Sequence, residues 1–451
     1  MSDEARNNPK TLYLLIPRQF KLHVHKVSHI CSTMSRIILL TDWYLPHAGG
    51  SRVYYHNLYS LLATEEDQVT VLTKNVPGGA SFDEEHSKGT LQIVRRSTPL
   101  PSLNVKHLWK IALPLYEAGR RILTGRVDIL HAGDLYPPGA IALLMKRLGG
   151  LPYIAYCHGE DITLTEIRRF QRPVRNSIYA QADAIVAACE YARQKLLEIG
   201  ISNDRITKIT PGVDADRFQP RPADEALVRS LGLENKYVLL TIARLVPRKG
   251  HASALRAFAQ IQQRVPDAIY LIVGTGPEQA QLEQLSRDLG IEGRVRFTGY
   301  VAEHLLPVYY NLCDVFLMMN QESDGDIEGF GMVFLEASAS GKAVIGGRSG
   351  GTADSIVDGK TGFLLDPLDT RALAAKLEWL LKNDQARRSL GEAGLLRARR
   401  DFSWISRAET LRALSNEVIK RRHLEPLSTP LGGGVCRPAQ VDDEGTSGVA
   451  V

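Results

Sequence analysis

Two glutamates, two basic side chains and a histidine are the residues of this sequence whose types and spacing suit chemistry on an anionic substrate. Arg244 and Lys249 lie five residues apart in Arg244-Leu245-Val246-Pro247-Arg248-Lys249-Gly250, after the apolar run Val238 to Ile242 and before a helix-like stretch. Two cations beside the unpaired amides of a helix start suit a diphosphate. Taken alone, the loop reads equally well as a basic surface turn. Glu328 and Glu336 flank Gly329-Phe330-Gly331-Met332-Val333-Phe334-Leu335. This pattern predicts a helix over Met332 to Ser340 stopped by Gly341, with Glu328 in the loop before it and Glu336 inside an apolar turn. A carboxylate so placed needs a partner if it is buried, and a sugar hydroxyl is one candidate. Gly329 and Gly331 also let backbone amides approach a ligand closely.

Three further pieces share a strand-then-glycine form: Gly49-Gly50, His158-Gly159-Glu160-Asp161 and Gly274-Thr275-Gly276-Pro277. Each alone is an ordinary tight turn. Together they gather glycine turns, a histidine and phosphate-type cations at strand ends. Competing motifs fail, because Gln279 stands where a dinucleotide fingerprint needs its third glycine and no GxxxxGK[ST] occurs. Asp214-Ala215-Asp216 and Asp324-Gly325-Asp326 have the spacing of a divalent-cation site but lie in turn-like contexts, so no metal is expected.

The elements that must position these residues alternate in a βαβα rhythm. Strand candidates are Ile37 to Leu40, Val69 to Leu72, Ile93 to Arg95, Ile129 to Ala132, Ile154 to Tyr156, Ala184 to Ala187 and Ile206 to Ile209. The second half offers Val238 to Ile242, Ile269 to Val273, Val295 to Phe297, Val315 to Met318, Ala343 to Ile345 and Phe363 to Leu365. Amphipathic segments such as His251 to Arg264 and Glu278 to Leu289 separate most of them. This is too many parallel strands for one sheet, so the expected architecture is α/β with two doubly wound domains and a site in the cleft between them. The boundary falls near Pro220-Arg221-Pro222, giving residues 34–218 and 219–401. Residues 1–33, ahead of Met34, read as a flexible extension, and residues 423–451, rich in Pro, Gly, Ser and Asp, read as a disordered tail.

A chain of 451 residues, 44% hydrophobic and 23% charged, has the size and composition of two or three globular domains. Its net charge of +5, from 55 basic and 50 acidic residues, is too mild to argue for a nucleic-acid partner. No apolar run approaches the roughly 20 residues of a membrane span. The five cysteines are scattered without CxxC spacing, which makes a reducing, cytoplasmic compartment the default.

With these residues in view, the stretch from Met34 to Arg422 resembles the family 4 retaining nucleotide-sugar glycosyltransferases, whose GT-B fold sets two Rossmann-like domains face to face. The most specific motif is Glu328-x7-Glu336 with its internal Gly-Phe-Gly. It is supported by Arg244 and Lys249, by Gly274-Thr275-Gly276-Pro277, by Gly350-Gly351 and by Asp358-Gly359-Lys360-Thr361-Gly362. Within the family, the Arg244 and Glu328 segments are similar to the bacterial phosphatidylinositol mannosyltransferase group, which points to GDP-mannose as one donor beside UDP-hexoses.

The resemblance implies that Arg244 and Lys249 bind the diphosphate and that Glu336 meets the ribose. It implies that Glu328, with the amides of Phe330 and Gly331, holds the donor sugar, and that His158 contacts this sugar from the other domain. Gly50 and Gly276 would lie at the donor, and the backbone at Tyr300 and Val301 at the base. No cofactor is implied, since the nucleotide sugar is a substrate. Asp354 departs from the glutamate that many members carry after the glycine pair. A terminal helix, residues 402–422, is expected to cross back to the first domain.

The acceptor side is less legible. Residues 95–126 interleave Arg95, Arg96, Lys106, Lys110, Arg120, Arg121 and Arg126 with apolar and aromatic side chains. They read either as an interfacial surface for anionic lipid at the inner face of the cytoplasmic membrane or as a packed helix with solvated ends. Arg168, Arg169, Arg172 and Arg175 read either as ligands for an acceptor phosphate or as a solvated helix face. The expected activity is transfer of a hexosyl group to a lipid-linked or glycan acceptor in envelope or polysaccharide synthesis. The alternatives are a nucleotide-sugar epimerase and a catalytically silent nucleotide-sugar-binding protein.

Overall fold

The computed structural model describes residues 34–63, 67–96, 119, 127–167 and 169–424. Runs of β-branched and leucine residues form β1 (Ser35–Leu40), β2 (Asp67–Lys74), β3 (Leu91–Arg96), β4 (Ile129–Ala132), β5 (Tyr153–Cys157), β6 (Ala184–Ala187) and β7 (Ile206–Lys208). These make a parallel sheet in the order β3-β2-β1-β4-β5-β6-β7. A second parallel sheet holds β8 (Tyr237–Ile242), β9 (Ala268–Val273), β10 (Val295–Gly299), β11 (Val315–Met318), β12 (Ala343–Gly347) and β13 (Phe363–Leu365), in the order β10-β9-β8-β11-β12-β13. In each sheet the strand order reverses beside the first strand, β1 or β8. Such switch points open a crevice at the strands' carboxyl ends.

The two-residue period of the strands divides the core. Ile37 and Leu39 pack with Tyr54, Tyr55, Leu58 and Tyr59 of the helix Gly50–Leu62. Ile38 and Leu40 face the other way, into an apolar cluster that also contains Leu240 and Ile242 of β8 and Phe316 of β11. Leu239 lies in a third layer with Phe258 and Tyr270.

The last helix, Trp404–Leu424, buries Trp404, Ala408, Leu411, Ser415 and Val418, a spacing of four and three that places them along one stripe. This stripe packs with the helix Gly50–Leu62 and β1 of the first sheet. Arg412 Nε donates to Asp67 Oδ2 at 2.7 Å, and Ser415 Oγ meets His131 Nε2 at 3.2 Å.

The helix expected to reach Arg264 ends at Ile261. There the amides of Arg264 and Val265 both turn back to the Ile261 carbonyl, just ahead of Pro266. The segments 1–33 and 425–451, and the basic residues Lys106, Lys110, Arg120, Arg121, Arg126 and Arg168, lie outside the described residues. Among the described residues no helix is long and apolar enough to cross a membrane.

Candidate active site

The loop after β8 brings the expected cations together with an expected glutamate. Pro247–Lys249 form one tight turn, and Gly250 follows at φ +66, where a Cβ would lie 1.8 Å from the Met319 carbonyl oxygen. Only glycine allows this loop to press against the end of β11. The Lys249 ammonium donates to Glu328 Oε2, and Arg248 Nη1 donates to the same oxygen at 2.8 Å. Arg248 Nε also stands 3.0 Å from Asp326 Oδ2. The side chains of Arg248, Lys249 and Glu328 are each 11% exposed. Burial pushes the Glu328 carboxyl up, but Lys249 and Arg248 outweigh it, so the net shift is downward and Glu328 is ionised. Arg244 is exposed and has no acidic partner among the described residues.

The residues after Glu328 are held from behind. A Cβ at Gly350, φ +54, would lie 2.1 Å from the Glu328 carbonyl oxygen, and the Gly351 amide donates to that oxygen at 2.9 Å. Phe330 is buried against Phe402. The amides of Phe330 and Gly331 have no hydrogen-bond partner among the described residues. The helix Met332–Ala339 then carries Glu336, whose Oε2 accepts from the hydroxyl of fully buried Tyr310 at 2.7 Å. Burial raises the Glu336 carboxyl. Gly276 packs against the Leu245 backbone, and Val301 is half-buried after β10 beside Tyr300, which is 75% exposed.

The first sheet supplies the facing side. His158 follows β5, and its backbone amide donates to Asp161 Oδ2 at 2.7 Å. A Cβ on Gly329 would lie 3.4 Å from the His158 carbonyl oxygen, so the His158 turn and the Glu328 loop face each other closely. Thr163 Oγ1 donates to the Gly325 carbonyl at 2.7 Å, and Gly50 starts its helix next to Met332, 3.5 Å from the methyl carbon to a Cβ there. Asp354 accepts the Glu190 amide at 2.6 Å and so stands at the start of the helix Glu190–Glu198, with Lys208 3.1 Å away. His47 is lowered by burial first, then by Arg52 and Arg244, one cation from each side. Burial also lowers His158 and pushes Glu160 up to about 6 and Asp161 to about 7.

The structure brings Lys249, Glu328 and the His158 turn together and sets Gly50 beside Met332, whereas Glu336 bonds to Tyr310 and Gly276 packs against Leu245. Lys249 and Glu328, assigned to diphosphate and sugar separately, are bonded to each other. Arg248 and Tyr310 were missed. The first stood beside Lys249 in the motif, whereas nothing in the sequence tied the second to Glu336. On the acceptor side, Arg95 does not join a lipid surface: its side chain, 6% exposed, is paired with Asp83 and bonded to the Leu45 and Lys74 carbonyls. Arg175, 2% exposed, is likewise no exposed phosphate ligand, since it packs inward and donates to Asn176 and to the Ile162 carbonyl. Asp214 caps the amides of Asp216 and Arg217 in a turn.

Residues 48–217 match the family model Glycosyltransferase Family 4, and residues 224–397 match Glycosyl transferases group 1. The chain is 30% identical over 383 residues to the GDP-mannose-dependent alpha-(1-6)-phosphatidylinositol monomannoside mannosyltransferase of Mycolicibacterium smegmatis, covering 84% of this chain and 97% of that one. It is 27% identical over 388 residues to the corresponding monoacylated-substrate enzyme of Corynebacterium glutamicum, covering 84% and 97%. Among solved structures, Anabaena HepE in complex with UDP and glucose superposes with a TM-score of 0.71 at 21% identity, covering 85% of this chain and 100% of that one. Sucrose-phosphate synthase from Thermosynechococcus elongatus gives 0.70 at 21% identity, covering 86% and 100%. These two share the arrangement of paired parallel sheets described above. The chain belongs to family 4 of the nucleotide-sugar glycosyltransferases and has the GT-B fold.

Proposed function

We propose that this glycosyltransferase moves a mannosyl group from GDP-mannose to a glycolipid acceptor of the phosphatidylinositol type, with retention and without a metal ion. The donor and acceptor classes rest on the names of the relatives at 30% and 27% identity. The chemistry rests on one observation: an exposed, acid-free Arg244 beside the buried Lys249–Glu328–Arg248 cluster, facing the His158 turn.

As the glycosidic bond breaks, negative charge grows on the departing diphosphate and positive charge on the sugar ring. Arg244 and Lys249 meet the first charge, while the ionised Glu328 tolerates the second. The free amides of Phe330 and Gly331 are placed for sugar hydroxyls, with His158 opposite. Glu336 keeps one carboxylate oxygen on Tyr310 and offers the other to the ribose. Burial raises the Asp161 and Glu160 carboxyls on the acceptor side to about 7 and about 6. A lipid-linked acceptor would bring the protein to a membrane surface, where the enzyme acts peripherally.

Purified protein screened against GDP-mannose, UDP-glucose and UDP-N-acetylglucosamine, by thermal shift and by slow donor hydrolysis, tests this reading. A selective response to GDP-mannose supports it, followed by transfer to phosphatidylinositol mannoside in vesicles. An isomerised nucleotide sugar would establish an epimerase, and silence toward every donor in folded protein would overturn transfer.

A further inference from the structure

The hydroxyl of Tyr55 meets two groups at once: the carbonyl oxygen of Gly133 and, at 2.6 Å, Nε2 of His158. A phenol carries one proton, and a carbonyl oxygen can only accept. The Tyr55 proton therefore lies toward Gly133, and the bond to His158 forms only if Nε2 carries a hydrogen that the phenol oxygen accepts. Tyr55 is fully buried and enclosed by the rings of Tyr54, Tyr59 and Tyr156, so its hydroxyl has no water to turn to. His158 is half-buried. Among the groups that face it, Glu160, Asp134 and the Gly133 carbonyl favour its charged form and Arg52 opposes it, but burial prevails and keeps it neutral. A neutral ring with hydrogen on Nε2 has a lone pair on Nδ1. Apart from the hydrogen bond between this ring and the Gly133 carbonyl, no further partner of the ring nitrogens than Tyr55 occurs among the described residues, and the turn faces the Glu328 loop.

We propose that Tyr55 is a positioning residue: it fixes His158 as the Nε2–H tautomer and thereby presents Nδ1 as a hydrogen-bond acceptor to one hydroxyl of the donor sugar. This rests on the donor reading of His158 given above. It also predicts a substrate requirement, because a donor whose hydroxyl at that place is methylated or absent has nothing to give Nδ1.

The test uses the full chain labelled with 15N-histidine. In the wild type, His158 should show a protonated Nε2 and a lone-pair Nδ1, and donor should move the Nδ1 resonance. Tyr55→Phe should give mixed tautomers and lower kcat/KM roughly tenfold, the scale of one hydrogen bond. Tyr59→Phe is the control. Tyr59 sits on the same helix with an equally buried hydroxyl bonded to His131 at 2.6 Å and Tyr156 at 2.9 Å, and its loss should lower stability while leaving kcat/KM and the His158 spectrum unchanged.

Equal losses of kcat/KM in both variants, or none in Tyr55→Phe, would overturn the proposal. So would an Nδ1–H tautomer in the wild type, a measurement that needs neither donor nor variant. A donor that binds without moving the Nδ1 resonance would instead remove the contact between His158 and the sugar, leaving the Tyr55 tautomer lock as the part that stands.

Discussion

On the second-sheet side of the cleft, Glu328 keeps its charge because Lys249 and Arg248 share one of its oxygens. On the first-sheet side, burial pushes Glu160 and Asp161 up to about 6 and 7, and His158 stays neutral beside a tyrosine hydroxyl. One wall is cross-braced by an ion cluster, and the other sets carboxyls of raised pKa around a neutral ring. The difference matches the reaction. The leaving group develops a full charge that fixed cations can meet, whereas sugar and acceptor hydroxyls need hydrogen-bonding partners that do not compete for that charge. It also teaches that a carboxylate between two cations and a carboxylate behind a hydrophobic shell are different reagents, although both are written Glu or Asp in sequence.

The comparison breaks first at the charged wall. Lys249→Ala and Glu336→Ala should each lower kcat by roughly 1000-fold, the scale of removing a group that meets transition-state charge or fixes the donor. Turnover within tenfold of wild type in either variant, measured with GDP-mannose, would refute the assignment. Tyr310→Phe, which leaves Glu336 ionisable but frees its bonded oxygen, should cost only about tenfold in kcat/KM, and a loss as large as that of Glu336→Ala would mean that Glu336 acts by packing.

Stability comes next. Gly350→Ala, which sets a methyl group against the Glu328 carbonyl in left-handed backbone, should destabilise the protein by about 2–4 kcal/mol in urea titration. A cost near zero would show that the Glu328 loop is free to relax. The first-sheet wall gives a smaller, pH-dependent effect. The Asp161 pKa is raised on folding, from 3.8 to about 7, so its favourable contribution is complete below pH 4 and is lost as pH rises toward 7. Asp161→Asn keeps an oxygen for the His158 amide, and its Tm relative to wild type should therefore increase between pH 4 and 7 and level off above. A flat difference would place Asp161 among ordinary surface carboxylates.

The strands were legible because each is a short β-branched or leucine-rich run closed by glycine or a polar turn. Each one chosen from sequence appears within a residue or two of its place, since a buried parallel strand leaves few other uses for such a run. The strand-end loops of His158 and Glu328, both picked out in the sequence, come close to each other in the fold. What sequence could not show were side-chain partners far apart in the chain. Arg248 reaches Glu328 across 80 positions, and Tyr310 reaches Glu336 from a different helix. Exposure was the other blind spot. Arg95 and Arg175 look identical in sequence to the arginines around them, and only the fold turns them inward.

The seat of the last helix bears on how the protein is made. Arg412 and Asp67 are 345 residues apart, yet Asp67 is buried and ion-paired only once Arg412 arrives. At roughly 5–20 residues per second of synthesis, the first sheet waits on the order of 20–70 seconds with the outer stripe of its first helix uncovered. The half that begins the chain is thus completed by the half that ends it. Cutting the protein at the linker between the sheets would yield a first fragment that is sticky and a second that carries an orphaned helix.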